Sequence, residues 1–151
     1  MQDPDTPKQP EFVFDYLLYL LAASSEKASE QFHDQVRARG LRVPEWRVLA
    51  CLADTDGMMI TRLASLSLLE QSRMTRIIAQ MENKNLVRRT VDTADKRRVR
   101  VQLTDKGREV ADRLVAEAKT HEAALLSSLA DTDAARIKGV LRVLLNRLEE
   151  T

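Results

Sequence analysis

Cysteine occurs once in the 151 residues and histidine twice, and the two histidines, His33 and His121, lie far apart in the sequence. A lone cysteine excludes a disulfide framework within the chain and fits a reducing compartment, so a cytoplasmic location is expected. The clustered His and Cys spacing that holds zinc is lacking, so no metal is expected and the histidines read as exposed helix-face residues. Only four glycines are present, and no run of them is placed to cradle a phosphate. No nucleophile has a neighbouring base to activate it, so neither a catalytic residue nor a cofactor is expected, and the chain reads as a non-enzyme. A long apolar run is missing too. The greasiest stretch, Phe12 to Ala23, contains Asp15 and follows Asp3, Asp5 and Glu11 rather than a basic segment. It is too short for a membrane span and wrongly flanked for a signal peptide.

Three of the four prolines fall within residues 1–11, beside several charges and no apolar pattern, which predicts a disordered arm there. The rest is of a size for one compact unit with a modest core. Its charge is segregated. Between Arg62 and Arg108 there are 12 Lys and Arg against 5 Asp and Glu, or +7; the whole chain is +1, which leaves −6 elsewhere. A basic surface of this kind is the electrostatic footprint of phosphate binding.

Within that basic middle, Met74, Ile77, Ile78 and Met81 fall at i, i+3, i+4 and i+7, predicting an amphipathic helix over Gln71 to Lys84. Its other face carries Ser72, Arg73, Arg76 and Gln80 with small Ala79 between them. Such a face suits a major groove, because Arg bonds guanine bidentately, Ser and Gln donate or accept, and Ala permits close approach. Upstream, Ile60 to Leu68 reads as a shorter helix with Leu63, Ala64 and Leu66 or Leu68 inward, and the linker Leu68-Leu69-Glu70 has the shortness of a helix-turn-helix. Downstream, Leu86 to Val91 and Val99 to Leu103 are β-rich; in the second, Val99, Val101 and Leu103 face in while Arg98, Arg100 and Gln102 face out. The polar loop Asp92 to Arg98 between them is too long for a two-residue turn and suits a projecting hairpin.

Asp95-Lys96-Arg97, followed by Leu103-Thr104 and Gly107, resembles the wing signature of the MarR family of bacterial transcriptional regulators. Pro44 to Leu49, Met74-Thr75-Arg76, Met81-Glu82 and Leu86 to Arg89 are similar to that family's helix and strand junctions, in order, and the resemblance covers Phe14 to Leu148. Two departures stand out. Asn85 takes a place usually held by Gly, where Asn tolerates the left-handed backbone that ends a helix. Glu70 takes the place of a Ser, Thr or Asp cap; it caps less well, although its charge suits the positive end of the helix dipole.

The resemblance implies a mainly α fold with a small β wing (α+β), a winged helix-turn-helix flanked by long dimerisation helices. The expected organisation is an N-terminal dimerisation helix over 12–40, a DNA-reading lobe over 41–104 and C-terminal dimerisation helices over 105–151. Phe14 to Arg39 reads as one helix stopped by Gly40, with Leu17, Leu18, Leu20 and Leu21 making its first half apolar nearly all round. Such a face needs a cover, and a second copy of the chain is the expected one. Pro44 to Ala53 is a helix opened by Pro44, with Trp46, Leu49, Ala50 and Leu52 or Ala53 on its buried side. Met58 to Ile60 is the expected third wing strand. Thr104 reads as the N-cap of a helix from Asp105 to about Leu129, and a last helix runs from Asp131 or Asp133 to Leu148.

Double-stranded DNA and a second copy are therefore the expected partners, with no membrane. Gln71, Ser72, Arg73, Thr75, Arg76 and Gln80 are the candidate groove and phosphate contacts. By resemblance, Arg97 is the wing-tip residue, Asp95 orients it, and Lys96, Arg98 and Arg100 add phosphate contacts. The family's release by small, often aromatic anions implies an effector neighbourhood around Phe32, Val36 and Trp46, residues equally consistent with ordinary core. Cys51 reads as a small core residue, with a redox-responsive regulator as the alternative. A winged-helix protein-interaction module is the other alternative, one that would not need the +7 middle.

Overall fold

The computed structural model describes residues 11–151; the predicted arm over 1–11 lies outside them except for Glu11. The order is α1 (Phe12–Asp15), α2 (Leu17–Ala38), α3 (Val43–Asp54), β1 (Met58–Met59), α4 (Ile60–Leu66), α5 (Gln71–Asn83), β2 (Val87–Val91), β3 (Val99–Leu103), α6 (Asp105–Leu126) and α7 (Asp131–Glu149). The strands form one antiparallel sheet in the order β1-β3-β2, with Val87 opposite Leu103 and Val91 opposite Val99. This is the mainly helical fold with a small wing that the sequence predicts.

One core holds the middle of the chain together. Val48, Leu49 and Leu52 of α3, Leu63 of α4, Met74, Ile78 and Met81 of α5, Val101 of β3 and Leu114 of α6 are all fully buried. The periodicity of α5 is realised in full, since Met74, Ile77, Ile78 and Met81 are its buried residues. By contrast α1 and α7 have no buried residue. Most of their large apolar side chains, with those of the first half of α2, stand exposed, Leu21 and Leu144 being half-buried.

Four boundaries differ from expectation. The predicted single helix over 14–39 is broken at Tyr16, whose ψ of 120° is extended, leaving α1 as a separate turn in which Phe12 stacks on Tyr16 at 5.0 Å. The helix before the linker stops at Leu66, because Leu68 adopts a positive φ of 57°. Leu66 and Leu68 consequently point outward, and Ile60 joins Leu63 and Ala64 inside. Ile60 opens α4 and does not extend the third strand, and α6 ends at Leu126, which leaves Leu129 exposed. In α3, Trp46 and Ala50 are only half-buried, and the inner face belongs to Glu45, Val48, Leu49 and Leu52.

Buried Glu45 was not foreseen. Its Oε1 accepts the Arg42 backbone N–H at 2.9 Å and the Lys84 ammonium at 2.9 Å. Lys84 Nζ also donates to the Gly40 carbonyl at 3.1 Å. One lysine at the end of α5 thus ties the end of α2 to the start of α3. Next to it Asn85 takes the left-handed conformation, with φ 58°, as its chemistry allows. The Thr104 hydroxyl donates to the Asn85 carbonyl at 2.7 Å and accepts from Gly107 N–H at 2.9 Å, so Thr104 caps α6 as predicted while pinning it to the α5–β2 turn.

Gly107 is required by this contact. A Cβ there would lie 1.9 Å from the Leu86 carbonyl oxygen, and backbone cannot rotate aside as a side-chain tip can. Gly107→Ala is expected to lower stability by about 3 kcal/mol or more, read as a fall in the urea midpoint; an unchanged midpoint would contradict the contact. A second prediction concerns pH. The His33 imidazole is held below its ordinary value of 6.5 by partial burial, then by Arg47 and Arg37, with Asp34 opposing. Both folded and unfolded chains carry it neutral above that value. As pH falls below it the unfolded chain takes up the proton first, so stability should drop in the window just under 6.5 and level off once the folded chain protonates too. In His33→Gln the urea midpoint should show a smaller drop across that window, and an identical drop would remove His33 as its source.

Candidate nucleic-acid interface

With its apolar stripe buried in the core, α5 turns Gln71, Ser72, Arg73, Thr75, Arg76 and Gln80 outward, all exposed. They are not equally free. The Thr75 hydroxyl donates back to the Gln71 carbonyl at 3.0 Å, so only its acceptor lone pairs remain for a partner. Gln80 Oε1 accepts from Arg42 Nη1 at 2.9 Å, which ties the C-terminal end of this face to the start of α3. The candidates left without a side-chain bond among the described residues, Gln71, Ser72, Arg73 and Arg76, cluster in the first half of the helix. At its start Glu70 is the N-cap residue and makes no side-chain capping bond, so the first amide N–H groups of α5 lack that partner.

The wing projects beside that half. Its loop is shaped by two aspartates: Asp92 Oδ1 accepts Ala94 N–H at 2.8 Å, and Asp95 Oδ1 accepts Arg97 N–H at 3.0 Å. Asp side chains commonly fold turns by bonding the backbone two residues ahead. The loop is closed by Asp92 N–H to the Arg98 carbonyl and Arg98 N–H to the Asp95 carbonyl, both 2.9 Å. Asp95 Oδ1 also takes Arg97 Nε at 3.3 Å, and its Oδ2 lies 3.7 Å from Arg98 Nε. The Arg97 side chain is nonetheless 92% exposed, so this pair is a solvent-screened orienting contact of little energetic weight. Lys96 and Arg98 are exposed as well. Arg100 is not: it donates to the Gly57 carbonyl at 3.0 Å and lies 3.9 Å from Asp92. It anchors β3 to the turn before β1.

Helix and wing meet in a cavity of about 390 Å³, lined among others by Gln71 and Thr75 of α5, Arg97 of the wing loop, Arg89 of β2 and Thr61 of α4. Residues separated by a strand, a loop and a helix in sequence thus share one concave surface. Arg89 and Thr61 were missed. Arg89 lies two residues from buried Val87 and opposite buried Val101, so strand alternation assigns it to the inner face and hides its exposure; it pairs with Glu82 at 2.6 Å. Thr61 carried no signal, since its place depends on where α4 begins.

The remaining sequence candidates lie elsewhere. Phe32 and Val36 are buried core, with Trp46 edge-on to Phe32 at 5.0 Å and His121 5.8 Å from Phe32 on its other contact. Neither histidine stands freely on a helix face, as both are half-buried. Among the described residues no group of three or more His, Cys, Asp or Glu is placed to hold a metal. Cys51 is half-buried, and burial, then Asp54, push its thiol above the ordinary range, with a Ser67 hydrogen bond opposing. A thiol so shifted is mostly protonated near neutrality, which disfavours nucleophilic chemistry. No helix among the described residues is long and apolar enough to cross a membrane.

Comparison with known proteins converges on one family. Residues 41–99 match the MarR family model, the span that holds α3 to the start of β3. The chain is 68% identical to a MarR family transcriptional regulator of Silicibacter pomeroyi DSS-3 whose crystal structure is known; the match covers 92% of this chain and 99% of that one, with a TM-score of 0.85. It is 27% identical over 94 residues to the HTH-type transcriptional regulator SarZ of Staphylococcus epidermidis, a match over 62% of this chain and 64% of SarZ, so slightly less than two thirds of that relative's length is spanned. The same fold occurs in the S. aureus MepR–DNA complex, at 20% identity and a TM-score of 0.75 over 87% of this chain and 97% of that one. The basic hairpin, the helix-turn-helix in front of it, the family match and the near-complete overlay on a regulator of 68% identity together place this chain in the MarR family of transcriptional regulators.

Proposed function

We propose that this protein is a homodimeric, sequence-specific transcriptional repressor that grips double-stranded DNA and is released by a small-molecule effector. The observation that carries the reading is the shared concave surface on which recognition-helix residues Gln71 and Thr75 meet wing residue Arg97. A duplex presents a major groove beside a minor groove, and a helix flanked by a basic hairpin matches that alternation. In this reading α5 enters the major groove by its first half. Ser72, Arg73 and Arg76 read base edges or the adjoining phosphates, with Gln71 beside them; Thr75 accepts only through its lone pairs, and Gln80, held by Arg42, contributes at the margin. Arg97 reaches the neighbouring minor groove, where it senses width and negative potential more than base identity, and Lys96 and Arg98 add phosphate contacts. Arg100, engaged with Gly57, supports the wing from behind.

The second copy follows from what is uncovered. Leu17, Leu18, Val140, Leu145 and Leu148, on α2 and α7, are exposed large hydrophobics at opposite ends of the chain, and several such side chains on one helix mark an association face. Two copies joined there would carry two recognition helices, whose half-sites should lie about 34 Å apart, one turn of DNA. The effector part of the reading places a small ligand where α2 meets α3, near Phe32, Val36 and Trp46. Release requires that it bind better to a dimer whose lobes are spaced wrongly for the operator, because equal affinity for both states shifts nothing.

The DNA part is tested with Arg97→Ala, titrated by fluorescence anisotropy onto a bound operator duplex at several salt concentrations. Affinity should fall by about 1–3 kcal/mol and the salt slope should flatten by about one charge; unchanged affinity and slope would take Arg97 out of the interface. The dimer part is tested by sedimentation. The wild-type chain should run as a dimer and a Leu145→Asp, Leu148→Asp chain as a folded monomer with weakened operator binding, whereas a wild-type monomer at micromolar concentration would reject it.

A further inference from the structure

Away from the DNA-facing surface, where α5 ends, a second cavity of about 380 Å³ opens between the end of α2, the end of α5 and the first turns of α6. Four of its lining residues are cationic: Arg39, Lys84, Lys106 and Arg113. Its floor includes Leu86 and Val110. Neither the proposed DNA contacts nor the Trp46 neighbourhood makes use of it.

The arrangement along α6 is directional. Lys106, Val110 and Arg113 stand at i, i+4 and i+7 and so share one helix face, in the order cation, apolar, cation. Seven residues of helix rise roughly 10 Å, which separates the two cationic ends by more than a single small anion can span. Facing them, Arg39 comes from the end of α2 and Lys84 from the cap of α5. These groups have donors to spare. Lys84 spends two of its three N–H groups on Glu45 and the Gly40 carbonyl, and Lys106 spends one on the Lys84 carbonyl at 3.0 Å. Arg39 pairs with Glu117, and Arg113 lies 3.8 Å from Glu109, yet a guanidinium carries five donors. Three carboxylates, Glu45, Glu117 and Glu109, therefore answer four cations, and the cavity keeps an excess of positive charge.

We propose that this cavity binds an elongated aliphatic dianion, an α,ω-dicarboxylate whose two carboxylates are held at the Lys106 and Arg113 ends while its methylene chain lies on Val110 and Leu86. A lone phosphate would satisfy one end and leave the apolar floor unused. A DNA phosphate would touch the cationic rim and have no use for the floor.

Isothermal titration calorimetry of the full chain without DNA tests the proposal independently of the DNA reading. The probes are adipate, succinate and inorganic phosphate at one fixed ionic strength. Adipate should bind saturably, one per chain, and more tightly than succinate or phosphate. Arg113→Gln should weaken it about tenfold, the loss expected for one charge-assisted hydrogen-bonding group, and Lys106→Gln should act similarly. Arg136→Gln, an equal change of net charge on α7, should leave it unaltered, with thermal unfolding checking that all three variants fold. The proposal is overturned by absence of saturable adipate heat, by phosphate binding as tightly as adipate, or by Arg136→Gln weakening adipate as much as Arg113→Gln does. Loss of operator affinity in Arg113→Gln, with no adipate binding to the wild type, would overturn it in favour of a DNA-phosphate patch.

Discussion

A buried carboxylate with one lysine on it sets the geometry of this molecule. Glu45 has no exposed surface, and Lys84 reaches it from the end of α5 while also holding the carbonyl of Gly40. Only Glu45 is buried and Lys84 is 39% exposed, so it is removal of the lysine that would leave a charge uncompensated in the interior, while solvent screens the lysine's own side of the pair. The pair therefore fixes where α5 ends relative to both α2 and α3. One residue further, Asn85 turns the chain into β2, and Thr104 and Gly107 bring α6 against that same turn. α5, the β2–β3 hairpin and the helices α2, α3 and α6 are registered to each other within this small region.

That registration matters because reading DNA is a matter of spacing. A helix face and a wing tip can engage neighbouring grooves together only if their separation is held, and two copies can do so only if the lobes are held to their helices. Among the described residues the polar side chains in the first half of α5 make no hydrogen bond to another element, Thr75 bonding only back to Gln71, while the second half is bound to Arg42 through Gln80 and to Glu45 through Lys84. Rigidity is concentrated at one end of the helix and chemical freedom at the other. Lys84 also lines the cationic cavity at that rigid end, so the dianion proposed there would sit beside the same registration.

Much of this was legible in the residues. The i, i+3, i+4, i+7 stripe of α5 named its buried side chains correctly, the alternation of Val99 to Leu103 gave β3 its inner face, the Thr104 cap followed from side-chain chemistry, and the Asn85 stop followed from the family resemblance together with the tolerance of Asn for a positive φ. What escaped reading depends on contacts between distant segments. A glutamate beside Pro44 looks like a solvated helix start, and nothing local says that a lysine 39 residues later will bury it. Arg100 looked like another outward cation because alternation fixes a face but not a partner, and Gly57 claims it. The break at Tyr16 and the early stop at Leu66 turn on backbone conformations that a continuous apolar pattern conceals. The two uncovered surfaces, on α2 and α7, were visible as greasy faces in the sequence and remain uncovered in a single chain.

In the proposed function the basic middle of this chain reads a DNA sequence and does more than attract phosphate. This is tested most directly by fluorescence anisotropy of the unmodified protein on the duplex immediately upstream of its own gene and on a scrambled duplex of equal composition, at low and at physiological salt. Tight, salt-dependent binding with a clear preference for the native duplex that persists at the higher salt is the expected result. Equal, weak binding to both, disappearing together as salt is raised, would contradict it.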